Sequence, residues 1–162
     1  MRQSEIQFIR SQGFATVDSD HRLYVALMFQ PRAIAGVFAL GLLLQSGTLF
    51  LTLSAVLWWG AIVPARNLFD AVYNRFIASP RGLLPIPVAP APRRFAQAMA
   101  ASVALIIAAA LFADAMVTAW VFEGLFTMAL ISVVVGRLCA PANLYLVLTP
   151  AAGQAPSVPR RR

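Results

Sequence analysis

The sequence has few charged residues and no lysine. Charged side chains make up 12% of its 162 residues and hydrophobic ones 60%, whereas about a quarter of the residues in a soluble domain are charged. The hydrophobic residues also lie in long blocks instead of alternating with polar ones, so they leave no polar face toward water. An ordinary soluble domain is therefore excluded. We expect an all-α membrane protein, because helices satisfy their own backbone hydrogen bonds in lipid.

Cysteine and histidine each occur once, at Cys139 and His21. A single cysteine excludes an intrachain disulfide framework and a multi-cysteine zinc or iron–sulfur site, and a single histidine cannot form a metal cluster. The sequence also lacks a glycine-rich phosphate loop, a Ser-His-Asp set and an aromatic–basic nucleic-acid surface. We therefore expect no cofactor, no metal and no nucleic-acid partner, and we expect a non-catalytic role rather than an enzyme.

Two long apolar stretches predict about four short transmembrane helices. The first, residues 33–63, would reach about 46 Å as one straight helix, well beyond the roughly 30 Å of bilayer hydrocarbon. It is therefore expected to turn at Gln45-Ser46-Gly47, and the second stretch is expected to turn at Ala113-Asp114. The result is a polytopic bundle of two antiparallel hairpins, with helices over about 31–45, 48–64, 95–112 and 116–136. For the first helix two alternatives are open: residues 23–29 extend it, or it is a partial span.

Apolar residues between the two stretches recur with helical spacing. They predict an amphipathic interfacial helix over 65–77, on one face of which lie Ala65, Leu68, Phe69, Val72, Tyr73, Phe76 and Ile77. Residues 78–94 are rich in proline and predict an extended loop. Residues 31–148 therefore form the expected transmembrane domain, and residues 149–162 a disordered basic tail.

The arginines predict the orientation. All thirteen basic residues are arginines, and they lie in the N-terminal segment, the central loop, at Arg137 and at the C-terminal end. The two expected outer turns contain none. By the positive-inside rule, residues 1–30, the central loop and the C-terminal tail are cytoplasmic, and the protein lies in the inner (plasma) membrane. Residues 1–30 also lack the apolar core of a signal peptide, so none is expected there.

Small residues predict where helices approach closely. Four alanines repeat every four residues on the third helix, and three small residues lie along the fourth: Ala96, Ala100, Ala104 and Ala108, then Gly124, Ser132 and Gly136. Such faces promote helix association in lipid, where no hydrophobic driving force acts between helices. We expect them to hold the bundle together. A homo-oligomer or a membrane-protein partner is also expected, in addition to the bilayer.

Glu123 is an acidic residue within an apolar segment. It follows the Asp114 turn by roughly 13 Å of helix, which places it near the middle of the membrane, where a carboxylate is costly. The partners expected on neighbouring helices are neutral: Thr52, Ser54, Gln97 and Ser102. Two roles are open, a protonated, hydrogen-bonded structural group or part of a proton or solute pathway.

Cys139 follows the fourth helix, two residues after Arg137. Two interpretations are open for this thiol. It is either a small interfacial hydrophobic residue, or a reactive or lipid-modified thiol whose reactivity the nearby arginine increases.

Three segments carry a family resemblance. They are residues 54–74, with Ser-Ala-Val-Leu-Trp-Trp followed by Ala-Arg-Asn-Leu-Phe-Asp-Ala-Val-Tyr-Asn, then Ala-Pro-Arg-Arg-Phe-Ala-Gln at 91–97, and Gly-Arg-Leu-Cys at 136–139. Across about residues 25–148 the chain resembles the bacterial membrane family catalogued as domain of unknown function 4395. The most specific match is the 92–97 segment combined with Cys139.

The resemblance implies a membrane topology and no established activity. Members of the family often read Phe-Cys-Leu-Gly-Cys where this chain has its cysteine, which implies a redox dithiol. Here Ala142 stands at the position of the second cysteine. Exchange through an intramolecular cysteine pair therefore does not carry over to this chain.

Three hypotheses about function follow. The first is a small accessory or structural membrane subunit that assembles with itself or with another protein. The second is a small transporter that uses Glu123. The third is a membrane thiol protein that uses Cys139 as a single reactive cysteine.

Overall fold

The computed structural model describes residues 3–14, 21–83 and 85–149, and its regular secondary structure over these ranges is helical. In chain order the α-helices are α1 (Gln3–Ser11), α2 (His21–Leu27), α3 (Phe29–Leu44), α4 (Gly47–Ile62), α5 (Leu68–Tyr73), α6 (Ala91–Phe112), α7 (Met116–Val134) and α8 (Ala140–Leu148). The all-helical prediction is confirmed. The expected basic tail, apart from Thr149, lies outside the described residues.

Three helical segments are long and apolar enough to cross a membrane: His21–Leu44, which comprises α2 and α3, Ala91–Phe112 and Met116–Val134. The fourth apolar helix, α4, has 16 residues and is shorter than a usual span. Membrane association therefore has support from three helices, not from the four predicted ones.

The first long segment begins earlier than its predicted bounds of 31–45. Helix continues from His21 to Leu44 with an interruption at Met28. Pro31 explains the interruption, because proline lacks the N–H that would bond the Leu27 carbonyl four residues earlier. The extension through residues 23–29 is thus present, and part of the predicted N-terminal segment belongs to this helix.

The third predicted helix also begins earlier, at Ala91 rather than at residue 95. Pro92 lies in its first turn, where a missing N–H has no helical partner to lose. Arg93 and Arg94 therefore belong to helix α6, not to the loop before it.

The amphipathic helix predicted over 65–77 is divided into several helical segments. The chain instead forms a 3₁₀ turn at Pro64–Arg66, the short α5, a π-helical turn at Asn74–Ala78 and a second 3₁₀ turn at Ser79–Arg81. Asn67 restarts the helix, because its extended backbone lets its side chain accept a hydrogen bond from the Phe69 N–H at 3.1 Å.

Asn74 holds the proline-rich segment against this region. Its Oδ1 accepts from the Ile86 N–H at 2.7 Å, and its Nδ2 donates to the Ile86 carbonyl at 3.3 Å. A single side chain thus satisfies both backbone groups of one loop residue, which fixes the path of the segment leading into α6.

Helices α4 and α6 form a close antiparallel pair. Near the start of α4, Gly47 lies against the Phe112 ring at the end of α6. Further along, the Ser54 hydroxyl donates to the Ala101 carbonyl at 2.8 Å, and at the other end Arg94 Nε donates to the Ala61 carbonyl at 2.8 Å. The small side chain of Ala101 allows this approach.

Two hydrophobic clusters fill the interior. In the first, which joins α3, α4, α6 and α7, the Phe38 ring lies 5.5 Å from the Phe50 ring and 4.6 Å from the Phe126 ring. The second joins α1, α2, α8 and the segment around α5, and it includes Phe8 and Tyr24. The first cluster therefore organises the long helices and the second attaches the short ones.

The long helices have two chemically different ends. The arginine end contains the starts of α3 and α6 and the ends of α4 and α7, with Gln30, Ala61, Arg93 and Arg137. The turn end contains the α3–α4 turn at Gln45 and the α6–α7 turn at Asp114, both of which adopt left-handed backbone conformations with φ of 44° and 55°.

Candidate functional site

A buried ionic network lies at the arginine end. Arg93 is 3% exposed and donates from Nη2 to Asp70 Oδ1 at 2.6 Å and from Nη1 to Asp70 Oδ2 at 3.1 Å. Nη2 also donates to Gln30 Oε1 at 2.6 Å. This two-pronged geometry is the strong form of an arginine–carboxylate pair. It joins α6, α5 and α3 and neutralises a charge that could not otherwise be buried.

The carboxyl group in this network is shifted by its surroundings. Burial raises the pKa of Asp70, and the charge and hydrogen bonds of Arg93 act in the opposite direction. The carboxylate therefore depends on this guanidinium for its charged form. The loss of Arg93 would leave a buried acid without its counterion.

Gln97 lies one turn after Arg93 on the same face of α6. It is 4% exposed, and neither its Nε2 nor its Oε1 has a hydrogen-bond partner in the described part of the chain. Asn67 Nδ2 is likewise buried and without a partner there. A Cβ on Gly60 would lie 3.1 Å from Gln97 Nε2 and 3.2 Å from Asn67 Nδ2, so both amide groups lie against the same glycine. A larger residue at this position would have to displace these amide groups by a few tenths of an ångström.

Arg93 and Gln97 line a cavity of about 220 Å³, whereas Asn67 and Gly60 lie outside its wall. Its polar residues gather at the arginine end: Gln12, Gln30, Arg93, Gln97 and Cys139. The rest of its wall consists of apolar side chains of α3, α6 and α7, among them Ile34, Val103 and Phe126. The cavity is thus amphipathic, with a polar end and a long apolar body.

Cys139 lies at the polar end of the cavity and caps the start of α8. Burial raises the pKa of its thiol, while the Ala142 backbone and the Gln12 side chain act in the opposite direction. A raised pKa favours the neutral thiol, which is the unreactive form. The direction of this shift agrees with a small, hydrophobic role for Cys139, and both interpretations stay predictions.

Arg137 contacts the N-terminal helices. Its Nη1 donates to the Ser4 hydroxyl at 3.0 Å and lies 3.5 Å from Glu5 Oε1. Its guanidinium also lies 5.4 Å from the centre of the Tyr24 ring. Arg137 therefore holds α1 and α2 against the α7–α8 turn.

Glu123 bonds a different partner from those expected. It is buried, and Gln45 Nε2 donates to its two carboxylate oxygens at 3.3 and 3.4 Å. Three of the four expected partners donate to backbone carbonyls instead: Thr52 to Thr48, Ser54 to Ala101 and Ser102 to Ala98. The fourth, Gln97, lacks a partner among the described residues. Glu123 is thus tied to the α3–α4 turn.

The predicted packing residues occupy different environments. On α6, Ala104 and Ala108 are fully buried, whereas Ala96 and Ala100 are half-buried and line the cavity. On α7 and the turn after it, Gly124, Ser132 and Gly136 are exposed. A Cβ on Gly124 would meet no atom within 4 Å. Their contact with another chain stays a prediction.

Sequence reasoning missed the Arg93–Asp70–Gln30 network. It assigned Arg93 to the loop over 78–94 and Asp70 to the interfacial helix over 65–77. A signal was present, because an acidic residue and an arginine beside long apolar segments need partners if buried. Within the described ranges, no group of histidine, cysteine, aspartate and glutamate side chains is arranged to hold a metal ion.

The fold and the site define a helical protein with membrane-capable segments and an amphipathic cavity between its helices. A family model, Domain of unknown function (DUF4395), matches residues 26–149, and the chain belongs to this family. This confirms the resemblance identified from the sequence. No match to a curated protein or to a solved structure was found.

Proposed function

We propose that this chain is a multi-pass plasma-membrane protein whose four long helical segments all cross the bilayer. In this arrangement α4 is a short span of about 24 Å, accommodated by local thinning or tilt. Both termini and residues 63–90 lie in the cytoplasm.

The distribution of charge carries this proposal. Arg93, Arg94 and Arg137 all lie at the arginine end of the long helices. The turn end has Gln45 and Asp114 and no arginine. Membrane proteins keep arginine-bearing ends on the cytoplasmic side. The outer surfaces of the helices suit lipid, since Val117, Trp120 and Met128 on α7 are mainly exposed.

Reporter fusions test the topology. We expect alkaline phosphatase, which is active only outside the cytoplasm, to be active when fused after Asp114 and inactive when fused after Arg162. A cytoplasm-active fluorescent reporter should give the opposite pattern at the same two positions. Phosphatase activity after Arg162 would contradict the proposed orientation.

Within the membrane, we assign the chain the role of a small accessory or structural subunit. Its buried ionic groups are used to join its own helices, and Cys139 and Glu123 lie in settings that favour neither a reactive thiol nor a transport pathway. The exposed small residues of α7 leave a face on which a second membrane helix could pack closely.

A matched pair of glycine variants tests this role. Gly124 on α7 and Gly36 on α3 both have open space at the Cβ position. We expect Gly124→Leu to dissociate a complex that is isolated in mild detergent, and Gly36→Leu to leave it intact, as read by native mass spectrometry. A detergent-bound monomer for the unmodified chain, with no partner, would count against the subunit role.

A further inference from the structure

The unpaired amide group of Gln97, in the wall of the cavity, needs an explanation. Leaving a buried donor or acceptor without a hydrogen bond costs about 1–3 kcal/mol, and Gln97 alone has two such atoms. Asn67 Nδ2, which lies against Gly60 as Gln97 Nε2 does, is a further donor without a partner in the described chain. Of these two residues Gln97 lines the cavity, and its amide N–H₂ group is suited to an oxygen acceptor that is not part of the described chain.

The charge at this place is already balanced. Arg93 lies one turn before Gln97, and Asp70 accepts two of its hydrogen bonds. A ligand head group therefore meets a guanidinium whose charge is compensated, together with neutral amides from Gln97 and Gln12. This setting suits an uncharged, oxygen-bearing head more than an anion, because an added negative charge would compete with Asp70.

The body of the cavity suits an apolar chain or ring. Its volume of about 220 Å³ exceeds the roughly 150 Å³ of an engineered cavity that binds benzene. Met99 and Leu125 line it and are also 40% and 59% exposed on the outside of the helices. The cavity thus reaches the outer surface between α6 and α7, where a longer chain can continue outward.

From these observations we propose that the cavity binds an uncharged amphiphile, whose carbonyl oxygen accepts from the Gln97 amide and whose apolar part lies between α3, α6 and α7. Two kinds of molecule have this chemistry, an acylglycerol ester and a quinone with an apolar tail. The proposal goes beyond the subunit role and does not depend on it.

Binding can be measured with the purified full-length chain in a mild detergent. The probes are monodecanoylglycerol, a decyl-substituted benzoquinone, decane and decanoate, and binding is read by native mass spectrometry and by the shift in unfolding temperature. We expect one or both carbonyl probes to bind with a stoichiometry of one, and decane and decanoate to bind more weakly. Tighter binding of the glycerol ester would identify the ligand as an acylglycerol, and tighter binding of the benzoquinone would identify it as a quinone.

Two variants test the site and one serves as control. Gln97→Leu removes the amide and should weaken carbonyl-probe binding about tenfold, the equivalent of one hydrogen bond. Ala129→Phe should fill the cavity from its exposed edge and weaken all probes. Ser102→Ala, on the same helix but away from the cavity, should leave binding unchanged, because Ser102 bonds its own helix.

Several results would overturn the proposal. Equal binding of decane and the carbonyl probes would indicate a non-specific apolar void, and tighter binding of decanoate would indicate an anion site. Unchanged binding in both Gln97→Leu and Ala129→Phe would place the probes elsewhere, and no binding of any probe would leave ordered water as the partner of the amides. Since Gln97→Leu removes unpaired polar atoms, we expect it to fold and to unfold at an equal or higher temperature than the unmodified chain.

Discussion

The two ends of the long helices are held by different kinds of interaction. At the arginine end, side chains far apart in sequence bond one another: Gln30 and Arg93 are 63 residues apart, and Ser4 and Arg137 are 133 apart. At the turn end the contacts are mostly local, such as the bond from the Gln45 side chain to the Leu42 carbonyl at 3.0 Å. Long-range polar contacts are thus more numerous at the arginine end, for which we propose an aqueous side. The turn end combines close turns with the long-range bond from Gln45 to Glu123.

The largest expected effect falls on the arginine end. Arg93→Met leaves the buried Asp70 without its counterion and should lower the free energy of unfolding by about 3–5 kcal/mol. The double variant Arg93→Met with Asp70→Leu should recover much of this loss, because neither charge is then left unpaired. The measurement is unfolding in detergent, followed by circular dichroism.

Arg75→Met provides the control for this test. Arg75 is exposed in the π-helical turn, so its replacement should change stability by less than about 0.5 kcal/mol. Equal losses for Arg93→Met and Arg75→Met would show that the ionic network does not hold the arginine end together.

Packing near the turn end can be tested with two glycines of α3. A Cβ on Gly41 would lie 2.9 Å from Phe50 Cζ, so Gly41→Ala should lower the free energy of unfolding by about 1–3 kcal/mol. A Cβ on Gly36 meets nothing within 4 Å, so Gly36→Ala should raise it by about 0.5–1 kcal/mol through helix propensity. The same sign for both variants would indicate that helix propensity, not contact with Phe50, dominates here.

Cys139 offers a kinetic comparison at the arginine end. Because burial raises the pKa of its thiol, less thiolate is present near neutral pH, and maleimide should label it about tenfold more slowly than an exposed cysteine, or slower still. The stability associated with the neutral thiol is present below the ordinary thiol pKa and is lost as pH rises through the raised value. Labelling should therefore accelerate in the alkaline range.

The reference for Cys139 is its neighbour. Leu138 is exposed, so Leu138→Cys in a Cys139→Ala background gives an accessible thiol one residue away. Similar labelling rates for the two proteins, followed by mass spectrometry, would restore the reactive-thiol hypothesis.

A modest effect is expected at the bond between the turn end and α7. Glu123→Leu removes the acceptor of Gln45 Nε2 and should cost about 1 kcal/mol. In a double-mutant cycle with Gln45→Leu, the coupling energy should be about 0.5–1 kcal/mol. No coupling would indicate that the turn end is held by apolar contacts alone.

Much of the helical architecture could be predicted from the sequence. Long uncharged runs and the turn residues at Gln45 and Asp114 located α4 and α7 closely, because local chemistry determines these features. The starts of the other two long helices were missed, since whether Pro31 and Pro92 end, interrupt or begin a helix depends on the surrounding packing.

The candidate site was less accessible to sequence reasoning. Glu123 was recognised as unusual, but its partner Gln45 lies 78 residues away and was assigned only to a turn. The orphaned amides of Gln97 and Asn67 meet at Gly60, a contact between three separate helical elements. Contacts of this kind depend on the order of the helices in the bundle and on the rotation of each helix about its axis, which hydrophobic periodicity does not specify.

The attachment of α1 has a consequence for the order in which the chain matures. Arg137, whose guanidinium contacts Ser4, Glu5 and Tyr24, is synthesised long after them. During translation the N-terminal helix cannot form these contacts until the α7–α8 turn has left the ribosome. Since contacts between distant parts of a chain form late, α1 is expected to dock last during biogenesis.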